Sequence, residues 1–378
     1  MQIHFEIPQG RFELKRLPYR KNELLQAWDA ADEYLLNYLA TEDKPPVGAQ
    51  ITILNDSFGA LAIGLHNYKP IAISDSFLSQ QATLNNLQSN GIDSNNVRLL
   101  DSLSIPNEPI DYLLIKVPKT LALLEYQLHR LRPLLKPNSK IIAAGMIKSL
   151  PANAWKLLAR LIGPTAPSLA VKKARLIFVT YDSEARLPAN PFPVRYKLEN
   201  TEFIICNHAN VFSRDSLDIG TRLLLQHLPN DPNYLHIIDL GCGNGVVGLM
   251  LADLLPGAKI SFVDESFMAV ASARENFEQA FAGKRQANFI AGDCLSEFLP
   301  ESADCIVCNP PFHQQHTIGD HIAWQMFQQA YKVLRKGGEL RVIGNRHLNY
   351  HQSLKKLFGN WERVASNAKF VIIKALKA

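Results

Sequence analysis

The sequence predicts an α/β protein built from two tandem Rossmann-like domains in a chain of 378 residues. Three observations predict it. Short β-rich runs alternate with helical stretches, the pattern of a doubly wound parallel sheet. The alternation occurs twice with matching landmarks. Between the two series lies Leu187-Pro188-Ala189-Asn190-Pro191-Phe192-Pro193, whose three prolines remove ladder donors and make it a linker. The boundary is expected at 185/186, giving domains 1–185 and 186–378.

The elements follow in order. Runs near 51–55, 69–74, 96–100, 111–117 and 139–144 read as strands of the first half, and 235–240, 258–263, 287–291, 303–308 and 338–344 as those of the second. Helical patterns lie between them, including Thr120–Leu131 and Trp324–Leu334. The two series align. Ile53 to Leu65 can be laid on Ile237 to Leu249, with Gly59 on Gly243 and Gly64 on Gly248. Asp75 corresponds to Asp264, each closely followed by a phenylalanine, Phe77 and Phe267. Lys116-Val117-Pro118 falls on Asn309-Pro310-Pro311.

Composition bounds the function. Hydrophobic residues make up 47% and charged residues 20%, a globular balance. No apolar run is long enough to span a bilayer, and the N-terminus has neither a basic region nor an apolar core of a signal peptide, so a cytoplasmic location and no membrane are expected. The five cysteines are an odd number for a disulfide framework. Cys305 and Cys308 have half of a zinc spacing but sit in an apolar run, so they read as core thiols; no metal is expected. Charge is uneven. Residues 112–181 hold twelve Lys/Arg and one acid, whereas residues 1–111 hold eight bases and fourteen acids. A basic block in one domain is the footprint of a phosphate-backbone binder, although a solvated surface gives the same pattern.

The segment Asp239-Leu240-Gly241-Cys242-Gly243-Asn244-Gly245 lies between a strand and a helix. Glycines permit the tight turn and let a ligand approach bare backbone at the open end of a parallel strand. Gly243-x-Gly245-x-x-Gly248 also fits a dinucleotide pattern, which is weak by itself. Three acids favour S-adenosylmethionine: Asp239 opening the loop, Asp264 ending the next strand for the ribose hydroxyls, and Asp293 ending the third for the adenine amine.

Asn309-Pro310-Pro311-Phe312 follows the fourth strand of the second half. An exocyclic amine on a base is a poor nucleophile because its lone pair is delocalised into the ring. The Asn309 side-chain oxygen and the Pro310 carbonyl can accept both amine protons, and Phe312 can stack on the base. The plainer reading is a rigid proline turn. His208, His313, His316 and His347 read as surface or hydrogen-bonding residues rather than a catalytic base.

With these stretches the sequence resembles the bacterial ribosomal RNA guanine-N2 methyltransferases, the RsmC/RlmG family. Further stretches carry the resemblance over nearly the whole chain: Asn210-Val211-Phe212-Ser213, Leu217-Asp218-Ile219-Gly220 and Asn345-Arg346-His347-Leu348 in the second half, and Leu54-Asn55-Asp56 and Lys172-Lys173-Ala174-Arg175-Leu176 in the first. Length and N-terminal stretches are nearer the large-subunit (23S) branch than the small-subunit (16S) one. The resemblance implies two class I methyltransferase domains, the first degenerate, and transfer of methyl from S-adenosylmethionine to guanosine N2 in 23S ribosomal RNA. It also implies that Phe212 and the segment 217–220 help close over the cofactor. An N-capped helix with Ser213 or Asp215 as the cap is the alternative there. In the first half, Lys116, Lys119, Lys172, Lys173 and Arg175 are the candidate RNA contacts. Adenine-N6 methylation of RNA or DNA, glutamine methylation of a protein, and a non-catalytic RNA-binding assembly role remain open as alternatives.

Overall fold

The computed structural model describes residues 3–19, 23–311 and 316–378. The chain divides into two compact units, Met1–Pro191 and Phe192–Ala378, so the break falls within the proline-rich stretch, six residues beyond the expected boundary.

In the first unit a seven-stranded sheet is built from Ile51–Leu54, Ile71–Ser74, Arg98–Asp101, Ile110–Lys116, Leu135–Met146, Thr165–Pro167 and Ala174–Val179. In the second the strands are His236–Leu240, Lys259–Asp264, Ala287–Ala291, Ala303–Cys308, Leu334–Asn345, Glu362–Ser366 and Phe370–Leu376. Counted along the chain within each unit, both sheets have the strand order 3-2-1-4-5-7-6. The first five strands are parallel and the seventh is antiparallel between the fifth and sixth. All ten parallel strands lie where the β-rich runs predict them. The antiparallel pairs, and an added hairpin in each unit (His4–Ile7 with Gly10–Glu13; Val194–Lys197 with Ile204–Asn207), had no distinct sequence signal.

Both faces of each sheet are covered, which is why the central strands are continuously apolar. In the second unit Ile237, Phe262, Val307 and Ile343 pack one face against Leu224, Leu249 and Phe277. Ile238, Leu240, Ile306 and Cys308 pack the other against Met326, Phe327 and Leu354. Cys305 and Cys308 are buried within this sheet, and burial pushes both thiols far up from their ordinary range. No helix among the described residues is long and apolar enough to cross a membrane.

The structure shifts the internal alignment. Gly59, at φ +83°, directly precedes helix Ala60–Gly64, as Gly245, at φ +77°, precedes Val246–Leu254. Gly59 therefore matches Gly245, not Gly243. The glycine spacing misled because the first loop keeps one glycine of the three. Likewise Ser76 and Ser266 both cap helices that begin at a phenylalanine, so Ser74, not Asp75, matches Asp264. Strand registers then place Ile53 at the Asp239 position and Leu103 at that of Asp293. The first unit lacks all three acids.

Candidate cofactor and base site

The glycine loop crosses the carboxyl end of the first strand of the second sheet. Its residues Gly241, Gly243 and Gly245 all have positive φ. A Cβ on Gly245 would lie 2.6 Å from that of Ala273, so only glycine lets this turn sit on helix Phe267–Phe281. A Cβ on Gly243 would meet nothing within 4 Å among the described residues: here the backbone faces open space, as a ligand-approached loop requires.

Two carboxylates shape the loop. Asp239 is buried and accepts from the Gly248 N–H at 2.8 Å, tying the strand to the following helix. Burial, with Asp264 nearby, pushes its carboxyl up to about 8. Asp264 accepts from Gly243 N at 2.9 Å and Ser266 N at 3.0 Å. Each of its oxygens keeps lone-pair capacity for a further donor. Burial raises its pKa despite these bonds. At the next strand end, Asp293 accepts from Gln325 Nε2 at 2.8 Å, and burial likewise raises it.

The loop also meets the proline turn. A Cβ built on Gly241 would lie 3.9 Å from the Asn309 carbonyl oxygen. Asn309 Nδ2 donates to Thr221 Oγ1 at 3.1 Å. Thr221 in turn donates its backbone N–H, at 2.9 Å, and its hydroxyl, at 3.3 Å, to Asp218 Oδ2. Asp218 caps helix Ile219–Leu225. The cap expected at Ser213 or Asp215 is thus Asp218. This relay fixes the amide of Asn309, whose Oδ1 is buried and has no hydrogen-bond partner among the described residues. An unpaired buried carbonyl is costly, so the arrangement holds a ready acceptor for a ligand donor.

Pro310 is buried beside Asn309. Phe312, His313 and the side chain of His316 lie outside the described residues. Phe212 is 53% exposed, next to a cleft of about 250 Å³ lined by Val211 and residues 213–216 that includes none of the glycine loop. His208 is buried against Glu275 at 2.9 Å, hydrogen-bonded rather than catalytic in setting. The residue types alone did not single out Thr221 or Gln325. Their roles depend on which element packs beside which strand end.

In the first unit the corresponding region is closed from within. Asp56 accepts from four successive N–H groups, those of Gly59, Ala60, Leu61 and Ala62, at 2.9–3.1 Å. The adjoining cavity, lined by Asp56, Ser74, Thr83 and Leu99 among others, is about 10 Å³. Lys116, at the Asn309 position, pairs with Asp29 and Asp32, each at 2.8 Å, with only 14% of its side chain exposed. Burial pulls its pKa down, but the two carboxylates outweigh this and hold it above the ordinary lysine range. Lys116 is therefore removed from the candidate RNA contacts: its ammonium is used inside the unit.

The other candidates stand differently. Lys119, Lys172 and Lys173 are exposed and Arg175 is half-buried. Lys172 pairs with Glu33 at 2.7 Å while remaining 71% exposed. The Ile147 N–H donates to the Lys173 carbonyl, which brings the exposed Lys148 turn beside Lys172 and Lys173. Lys119 and Lys148 follow the carboxyl ends of neighbouring parallel strands, so all four cations collect at one edge of the sheet.

The chain matches two family models: the RLMG N-terminal domain over residues 2–183 and the methyltransferase small domain over residues 202–374. It is 51% identical to a ribosomal RNA large subunit methyltransferase G of Ectopseudomonas mendocina, across 99% of both chains. It is 50% identical to the protein of that name from Aeromonas hydrophila, across the whole of both. Among solved structures, the T. thermophilus 16S rRNA N2 methyltransferase RsmC, in complex with AdoMet and guanosine, is similar with a TM-score of 0.77. That likeness covers 99% of this chain and 97% of the other at 22% identity, and shows a shared fold through both units.

Proposed function

The chain belongs to the family of the ribosomal RNA large subunit methyltransferase G proteins, and on that premise we propose that it methylates the exocyclic N2 of a guanosine in 23S ribosomal RNA. It is an S-adenosylmethionine-dependent enzyme, and the cofactor supplies a methyl group activated on a sulfonium. The residues of the second unit fit that group: open space over Gly243, and carboxylates at Asp264 and Asp293 held by neighbouring donors. Asp239, Gly241, Gly243, Gly245, Asp264 and Asp293 would hold it, with Phe212 at the margin.

The observation that carries the base assignment is the buried Oδ1 of Asn309, unpaired among the described residues. Accepting one amine proton there, and the other on the Pro310 carbonyl, turns the amine lone pair out of conjugation and toward the methyl donor. Because Thr221 holds the other end of the amide, the acceptor is in place before the base arrives. Phe312 is proposed to stack on the base. The first unit grips RNA through Lys119, Lys172 and Lys173, joined by Lys148 and with Arg175 behind them, and the reaction takes place in the cytoplasm where the RNA is made.

The test is to incubate the purified chain with 23S RNA from cells lacking it and to analyse the nucleosides by mass. N2-methylguanosine is expected in that RNA alone. Methyladenosine, or label in protein, would overturn the assignment. Asn309→Ala should lower turnover on the order of 100-fold while cofactor affinity changes little.

A further inference from the structure

Asn345 is a second buried amide with an unpaired oxygen, and it stands at the same edge of the sheet as Asn309. It is 8% exposed, and its Oδ1 has no hydrogen-bond partner among the described residues. It immediately precedes the 3₁₀ turn Arg346–Leu348, where an asparagine ordinarily caps, yet it makes no capping bond. The side chain is therefore not used by its own turn.

Its placement relative to Asn309 follows from the sheet. Strands Ala303–Cys308 and Leu334–Asn345 are parallel neighbours, with Cys308 opposite Val342. Asn309 is one residue past Cys308, and Asn345 is three past Val342. Side chains alternate between faces along a strand. Asn345 thus shares the face of Ile343, and Asn309 that of Val307, the face on which Leu224 of helix Ile219–Leu225 packs. The bond from Asn309 to Thr221 of that helix agrees. With strands about 4.8 Å apart and an offset of two residues, the two Cα atoms are roughly 8 Å apart. Two amide side chains across that gap can address one purine edge together.

We infer that Asn345 is a specificity-determining residue: it accepts a hydrogen bond from the ring N1–H of guanine while Asn309 accepts from the adjacent N2 amine. This rests on the guanine-N2 reading above and explains its selectivity. Guanine presents two neighbouring donors, N1–H and the amine. Adenine presents its amine beside an N1 that carries no hydrogen, so the Asn345 oxygen would face a lone pair and stay unsatisfied. A site with two spare acceptors on one face selects guanine and leaves adenine with an uncompensated cost.

The full-length protein, with S-adenosylhomocysteine bound, is titrated with guanosine and with 2-aminopurine riboside, which keeps the 2-amino group but has a bare N1. Wild type should prefer guanosine, and Asn345→Ala should shrink that preference roughly tenfold. Asn345→Asp, which keeps the acceptor, should retain it. On 23S RNA the Asn345→Ala variant should lose a similar factor in kcat/KM with cofactor affinity and thermal unfolding unchanged. An equal nucleoside preference in wild type and Asn345→Ala, or wild-type kcat/KM for that variant on RNA, overturns the inference. If wild type makes no N2-methylguanosine, the parent reading fails instead; if it does and Asn345→Ala matches it, only the role of Asn345 fails.

Discussion

Asn309 Nδ2 donates to Thr221 Oγ1 at 3.1 Å, and this one bond decides which end of the amide is left for substrate. Thr221 uses its hydroxyl hydrogen on Asp218, so its oxygen can only accept from Asn309. The Asn309 oxygen must then point elsewhere. Thr221→Val keeps the shape but removes the acceptor, freeing the amide to rotate. We expect kcat to fall roughly ten- to a hundredfold with cofactor Kd unchanged, and Thr221→Ser to restore most of the loss. Wild-type kcat in the valine variant, or a kcat loss in the serine variant as large as in the valine, would show that the Thr221 hydroxyl does not position Asn309.

Thr221 also marks where sequence reading stops. Asn309, the glycine loop and Asp264 were legible because each is a residue type with few other reasons to occur at a parallel strand end. A threonine inside a helix is ordinary; it becomes informative only when helix Ile219–Leu225 is seen to pack beside strand Leu334–Asn345 and reach the proline turn. The slip that laid Gly59 on Gly243 has a related cause. Asn55, at φ +62°, takes the left-handed conformation that Gly241 takes in the second unit, so the backbone turn is kept with different letters. Lys116 looked like a surface cation because its partners, Asp29 and Asp32, are more than eighty residues away in sequence.

Asp239 gives a pH dependence with a definite sign. Burial first, and then Asp264, raise its carboxyl from 3.8 to about 8 in the folded chain. Between those values the folded state holds a proton that the unfolded state has lost. Its contribution is therefore complete below about pH 4 and declines as pH rises toward 8. An amide in place of this carboxyl would still accept from the Gly248 N–H but cannot ionise. Asp239→Asn should thus gain on wild type in cofactor-free thermal unfolding as pH is raised from 4 to 8. A difference in Tm that stays constant across that range would show that Asp239 does not titrate there.

In the first unit, Lys116 is the one cation paired with both Asp29 and Asp32 among the described residues. Burial is strong enough that Asp32 remains raised to about 6 despite the ammonium beside it. Lys116→Ala would leave Asp32 buried without its cation, with the half-exposed Asp29 beside it. The cost of removing one partner of a buried pair is about 3–5 kcal/mol. Hydrogen exchange should quicken across strands Ile51–Leu54 and Ile110–Lys116 while the second unit keeps its cofactor affinity. RNA affinity measured well below the unfolding temperature should keep its dependence on salt. A reduced salt slope would return Lys116 to the RNA surface.

The exposed cations at the edge of the first sheet should behave in the opposite way. Lys172 and Lys173 both adopt left-handed backbone, at φ +47° and +63°, which turns two consecutive lysines outward on a tight corner. Such a corner contributes little to the core, so its charge can be removed without unfolding the unit. Each phosphate contact displaces condensed counterions, and losing two contacts should reduce the slope of log affinity against log salt by roughly one to two. Replacing both by alanine is cleaner than reversing charge, because a reversed charge at Lys172 would also repel Glu33, its present partner. Filter binding of 23S RNA at several salt concentrations reads the slope directly, and calorimetry on the same variant should return the wild-type cofactor affinity. An unaltered slope would mean that these lysines form a solvated face, and would move the RNA contact to the second unit, where Arg346 and His347 lie exposed just past the end of strand Leu334–Asn345.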